Sequence, residues 1–181
     1  MNKTQEVTYF ALNNELNRPV DGKIPLHKDR EAVRAFFLEH VNPNTVFFYT
    51  LDEKLDYLIE HDYLEAEFLG KYNRKFVKKL MKETYKKKFR FRSFMSAFKF
   101  YKQYAMKTND GQRYLERFED RIVFNALFLA DGDEQLAHDL AEEMILKNIA
   151  VITFDFPAHG ESKLEGKDLT IKNCIDNVNM V

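Results

Sequence analysis

Apolar residues recur at helical spacing in one segment after another between Asp29 and Met144, and each segment closes on a residue that caps or breaks a helix. This repetition restricts the fold more than any other feature. An amphipathic helix must bury its stripe against another, so a series of stripes implies helices packed on helices. A first helix is expected over about 29–41, with Val33, Phe36, Phe37 and His40 on one face and Asn42-Pro43-Asn44 as its stop. Thr50-Leu51-Asp52-Glu53 has the form of a capping box, ahead of Leu55, Leu58 and Ile59. A short helix over 64–69 can end on Gly70. Asn73 caps a stripe of Val77, Leu80, Met81 and Thr84, and Ser93 caps another of Phe94, Ala97, Phe98, Tyr101 and Ala105. Asn109-Asp110-Gly111 is a turn. A long helix is expected over 113–130, carrying Leu115, Phe118, Ile122, Leu127 and Leu129. After Asp131-Gly132-Asp133 comes a last helix with Leu136, Leu140 and Met144 inward. The opening segment to His27 reads as loop, because Asn13-Asn14 and Pro19-Val20-Asp21-Gly22 are turn chemistry and Pro25 blocks a helix.

At residue 148 the pattern changes. Ile149-Ala150-Val151-Ile152-Thr153-Phe154 is a continuous, β-branched apolar run, the pattern of a fully buried strand. A loop at Pro157-Ala158-His159-Gly160 and a helix starting near Thr170 follow. One strand with no further strands cannot make a sheet. The reading is therefore mainly α, with a helical domain over 1–147 followed by an incomplete β-loop-α tail over 148–181.

With 17 Phe and 9 Tyr in 181 residues the chain can bury a substantial core. It has one cysteine, Cys174, so no internal disulfide is possible. No apolar run approaches membrane-span length, and the first residues lack the apolar core of a secretory signal. The expected compartment is the cytoplasm.

The formal net charge of -1 hides a strong asymmetry. Residues 71–107 hold 14 of the 28 basic residues and one acid, Glu83. Within them Lys86-Lys87-Lys88-Phe89-Arg90-Phe91-Arg92 alternates cations with aromatics, the composition that binds phosphates and stacks bases. Lys87, Arg90 and Arg92 are the candidate phosphate-binding residues. The competing reading puts the aromatics in the core and the cations on solvated faces, some paired with acids of flanking helices.

No catalytic, cofactor-binding or metal-binding residue is indicated. His27, His40, His61, His138 and His159 are scattered without metal-ligand spacing, and no Gly-rich phosphate loop is present. Glu116, Glu119 and Asp120 alternate with Arg113, Arg117 and Arg121, which fits ion pairs along one helix better than an acid–base site. Gly160-Glu161-Ser162 is half of a nucleophile elbow, but Leu164 stands where the second glycine belongs. Cys174 has no nearby histidine in sequence.

Several strings are distinctive together. Gly22-Lys23-Ile24-Pro25-Leu26-His27-Lys28-Asp29 precedes Phe37-Leu38-Glu39-His40-Val41-Asn42-Pro43-Asn44-Thr45-Val46-Phe47-Phe48-Tyr49. Phe89-Arg90-Phe91, Ala97-Phe98-Lys99-Phe100-Tyr101 and Arg113-Tyr114-Leu115-Glu116-Arg117-Phe118-Glu119-Asp120-Arg121 follow in order. From about Tyr9 to Ile145 the chain closely resembles the start of the large subunit of class Ib ribonucleoside-diphosphate reductases. The resemblance implies a helical N-terminal domain that packs beside a catalytic barrel. It implies a small subunit that supplies a radical and a redoxin that re-reduces the barrel's cysteine pair. The residues that contact them, the catalytic cysteines and the substrate loops are not found here. The chain is expected to be inactive alone, to use no cofactor and to self-associate. Over about 140–181 it resembles an early strand and loop of an α/β-hydrolase, through Asp155-Phe156-Pro157-Ala158-His159-Gly160-Glu161-Ser162. A fusion within the helix over 139–145 accounts for both. The alternative function is a non-catalytic module that binds nucleotide or single-stranded nucleic acid through 71–107. A hydrolase fragment is a weaker alternative.

Overall fold

The computed structural model describes residues 8–16, 22–23 and 26–147. They fall within one unit, Met1–Ile149. The tail strand, its loop, Ser162, the helix from Thr170 and Cys174 lie outside the described residues.

Eight α-helices follow in order among the described residues: α1 Thr8–Leu16, α2 Leu26–Phe36, α3 Leu51–Glu60, α4 Ala66–Gly70, α5 Arg74–Lys86, α6 Phe94–Lys99, α7 Phe118–Ala130 and α8 Glu134–Lys147. Among the described residues there are isolated β-bridges but no strand. The expected helix starts at α3, α5 and α6 are present. Thr50 Oγ1 accepts from the Glu53 amide at 3.0 Å, Asn73 Oδ1 from Lys75 at 2.9 Å and Ser93 Oγ from Ser96 at 3.2 Å. At α3 the Glu53 carboxylate reaches back to the Tyr49 amide at 2.8 Å, one residue before the usual capping-box partner. On α5, Val77, Leu80, Met81 and Thr84 are all buried, as their spacing requires.

Two helices change pitch. α2 runs into a π-helical turn, Phe37–Val41, and α6 into another, Phe100–Tyr104. A π turn inserts one residue into the repeat, so the inward face steps by five. On α2 the fully buried positions are accordingly Ala32, Phe36 and Val41, whereas Val33, Phe37 and His40 of the expected face are only half-buried. The π turn at Phe100 places both Phe100 and Tyr101 in the core. Phe36 is the hub of an aromatic cluster, with ring centroids 5.2 Å from Tyr9, 5.3 Å from His40, 5.7 Å from Phe94 and 5.8 Å from Phe98.

Three expectations need correction. The opening segment is not all loop, since 8–16 forms α1 and packs on α2. Burying Tyr9 against Phe36 and Phe94 outweighs the turn preference of Asn13-Asn14. The helix expected over 113–130 begins only at Phe118. Residues 113–115 stay outside the helix because their amides and carbonyls pair elsewhere. Tyr114 donates to Asn44 at 2.7 Å and accepts from Val46 at 2.8 Å, and Leu115 donates to Met106 at 2.9 Å. The Asp120 carboxylate then caps the helix by accepting from the Arg117 amide at 2.7 Å. Finally, α8 buries Ala137, Ala141 and Ile145, one position on from Leu136, Leu140 and Met144, and Leu129 and Leu136 are exposed. Ala126 and Ala130 of α7 are buried too. Small residues let the two helix axes approach, leaving the leucines at the flanks. Tyr72 fastens their turn, donating to Leu127 O at 2.5 Å and accepting from Gly132 N at 2.7 Å.

The shifted register of α8 is testable. Ala141→Leu should overpack the α7–α8 contact and cost about 1–3 kcal/mol, while Leu136→Ser should stay within about 0.5 kcal/mol. Urea denaturation followed by circular dichroism distinguishes the two, and the reverse order would restore the leucine-inward register.

Candidate functional site

A cavity of about 1570 Å³ lies between α2, the segment 45–51, the segment 89–92 and the start of α7. Its shape follows from local sequence. α5 stops where Lys88 takes a left-handed conformation, φ 51°, a common helix ending. The chain then alternates. Phe89 and Phe91 are half-buried, while Arg90 and Arg92 are exposed. Phe89 stacks on Phe118 at 4.1 Å, and Phe91 meets Phe118 at 5.2 Å and Phe37 at 6.1 Å. The aromatics of the basic segment thus form one wall and the arginines its rim. Opposite them, α2 contributes Arg30 and Arg34, four apart and so on one side of the helix. Phe47 and Tyr49, 70% and 85% exposed, stand at the edge in contact with each other at 5.1 Å.

The cleft floor is polar and buried. Asp120, fully buried, accepts from Lys54 Nζ of α3, from the Tyr85 hydroxyl of α5 and from the Arg117 amide. Burial and the neighbouring Asp120 carboxylate hold the Tyr85 phenol protonated far above its ordinary range. Arg117 lies over the Tyr85 ring at 5.7 Å, so its charge is used within the floor. Glu116 is 1% exposed and accepts from Arg121 Nη2 at 2.5 Å and the Met106 amide at 2.7 Å. Its other oxygen has no hydrogen-bond partner. Burial raises the Glu116 carboxyl above the usual range, against the downward pull of Arg121. Glu119 is raised for the same first reason. These acids therefore do not form the ion-pair ladder along one helix that their spacing implies. Only Arg121–Glu116 is made, and Asp120 reaches across to two other helices.

The rim differs from the floor. Among the described residues Arg30, Arg34, Arg90 and Arg92 make no ion pair. The candidate phosphate-binding residues are therefore divided. Arg90 and Arg92 line the cleft, whereas Lys87 Nζ is engaged by Glu142 at 2.9 Å and does not line it. Arg30, Arg34, Phe47 and Tyr49 escaped the sequence reading. The Arg30–Arg34 spacing is the one signal that points to the first pair. No cluster of three or more metal-ligating side chains occurs among the described residues. His40 is committed to the Tyr114 hydroxyl at 2.9 Å. No helix among them is long and apolar enough to cross a membrane.

The Lys54–Asp120 pair holds the floor together, and breaking it alone strands a buried charge. Lys54→Met or Asp120→Leu should each cost about 3–5 kcal/mol, and the double variant substantially less than their sum. A double-mutant cycle in urea checks this, and additive losses would mean the two groups do not act as a pair.

Residues 9–89 match the family model "Ribonucleotide reductase N-terminal", and residues 90–151 match "Ribonucleotide reductase, all-alpha domain". The chain is 51% identical over 145 residues to a ribonucleoside-diphosphate reductase subunit alpha of Bacillus subtilis (strain 168), a match covering 80% of this chain and 21% of that protein. It is 48% identical over 155 residues to the NrdEB subunit alpha of the same organism, covering 86% of this chain and 14% of the relative. The subunit alpha of Mycoplasma pneumoniae is 38% identical over 156 residues, covering 86% of this chain and 21% of that protein. The chain thus spans about a fifth or less of the curated relatives it matches.

Proposed function

The chain belongs to the ribonucleotide reductase large-subunit family, and from that premise we propose that residues 1–147 act as the nucleotide-sensing and packing domain of a class Ib ribonucleoside-diphosphate reductase. The observation that carries the reading is the cleft, where four arginines without ion pairs among the described residues face aromatic side chains. Guanidinium groups bind phosphate oxygens through paired hydrogen bonds, and aromatic rings take a base. The two family segments meet at residues 89 and 90, within the wall of this cleft. The site therefore forms only when both segments pack together.

Reduction of ribonucleoside diphosphates is the activity this reading assigns to the whole subunit. Its partners would be a small radical-supplying subunit and a redoxin. The domain's own contribution is binding and packing. The exposed Leu129, Leu136 and Leu146 of α7 and α8 offer an apolar face for the rest of such a subunit. Residues 148–181 form, on this reading, a separate segment related to α/β-hydrolases.

Calorimetric titration with nucleoside mono-, di- and triphosphates should show binding that weakens as salt rises. Arg90→Glu with Arg92→Glu, or Arg30→Glu with Arg34→Glu, should lower affinity at least about tenfold. Lys87→Glu should change it less than about twofold. Absence of binding at low salt, or equal loss in the Lys87 variant, would refute the cleft as the site.

A further inference from the structure

The basic segment carries a second cationic feature, on another surface. The core side of α5 is closed by Val77, Leu80, Met81 and Thr84. Its outer side presents Lys75, Lys79, Lys82 and Lys86, all exposed, around a shallow depression. At a rise of about 1.5 Å per residue these four amines follow one another along the helix at intervals of about 6, 4.5 and 6 Å. Neutralisation is incomplete. Lys78 is held by Asp52 at 2.7 Å, and Arg74 pairs with Asp52 and Asp56. The acid lining the depression is Glu83, which lies 3.9 Å from Lys79 and 3.5 Å from His138 of α8. Among the described residues Lys75, Lys82 and Lys86 have no ion-pair partner.

We propose that this lysine row binds the phosphate backbone of a nucleic-acid duplex, without sequence preference and independently of the arginine cleft. Composition separates this from the other polyanions. Protein interfaces are depleted in lysine and centred on apolar or aromatic anchors, and none lies in this depression. A helix that settles on a membrane presents apolar residues to the lipid boundary, but the apolar residues of α5 face the core. Single-strand binding requires exposed aromatic platforms, and the aromatics of α5 are half-buried and engaged. Phe76 stacks on Tyr72 at 6.1 Å and the Tyr85 hydroxyl donates to Asp120. What remains is a row of point charges with no groups to read bases, the chemistry of backbone contacts.

The test is fluorescence anisotropy of a labelled duplex with the full chain across a salt series. Four lysine–phosphate contacts give a slope of log K against log salt of about −3.5. Lys82→Gln with Lys86→Gln should reduce its magnitude by about two, and the fourfold Lys75, Lys79, Lys82, Lys86→Gln variant should abolish binding. The charge-matched control, Lys99→Gln with Lys102→Gln, should leave the slope unchanged. All six side chains are exposed, and circular dichroism verifies the fold of each variant. Three results would each overturn the proposal: no duplex binding at about 20 mM salt, a slope that the α5 variants do not change, or lysine-dependent capture of phosphatidylserine vesicles or a polyglutamate peptide without duplex binding.

Discussion

Lys54 and Asp120 meet 66 residues apart in sequence, and both are almost completely withdrawn from solvent. Such a pair gains little net energy over a well-packed apolar alternative. Its consequence is positional. Asp120 has its acceptor sites taken by Lys54 of α3, Tyr85 of α5 and the Arg117 amide at the head of α7. A shift of any of these elements leaves a buried carboxylate, ammonium or hydroxyl without a partner, and each such loss costs on the order of 1–3 kcal/mol or more. The apolar stripes explain why the helices associate. This polar node explains why they do so in one register, and it forms the floor of the cleft walled by α2, residues 45–51, residues 89–92 and the start of α7.

The sequence made the beginnings of elements legible where a single side chain satisfies an orphan amide. Thr50, Asn73 and Ser93 are such cases, because a cap is a local interaction. It also revealed the buried face of α5, where charge and apolarity segregate sharply. It was less informative where distant partners decide. Nothing local announces that the Tyr114 backbone pairs with Asn44 and Val46, so 113–117 looks like the first turn of α7. Nor does the pattern on α2 reveal the five-residue step from Phe36 to Val41. On α8 alanine and leucine stripes lie side by side. The period identifies the helix, but close approach to α7 chooses the alanines. The strand expected at 149–154 lies outside the described residues.

The basic segment shows the same division between local and distant information. Its alternation of cation and aromatic is a strand-like pattern, and from Phe89 to Arg92 it behaves as one, rings inward and guanidiniums outward. From Lys75 to Lys86 the cations instead follow helical spacing on the outside of α5. The two stretches differ in residue type as well as geometry. The cleft uses arginine, whose planar fork suits paired hydrogen bonds in a partly enclosed space. The helix uses lysine, a mobile point charge suited to open solvent. Lys87, between them, belongs to neither, because Glu142 of α8 holds it.

Glu116 brings this argument to the cleft itself. A carboxylate at 1% exposure with one oxygen bonded to Arg121 and Met106 and the other without a partner is an expensive arrangement. Its raised proton affinity is one response to that cost. The neighbouring cations do not remove it, since Arg117 is committed to the Tyr85 ring and Lys54 to Asp120. The arginines of the rim, which make no ion pair among the described residues, are drawn from other elements and face the cavity rather than Glu116. Negative charge is thus kept in the floor and positive charge at the mouth, with aromatic rings between. A cleft with that polarity favours an anionic group at the entrance and a flat apolar one behind it, the distribution of charge in the nucleotide we propose as its ligand.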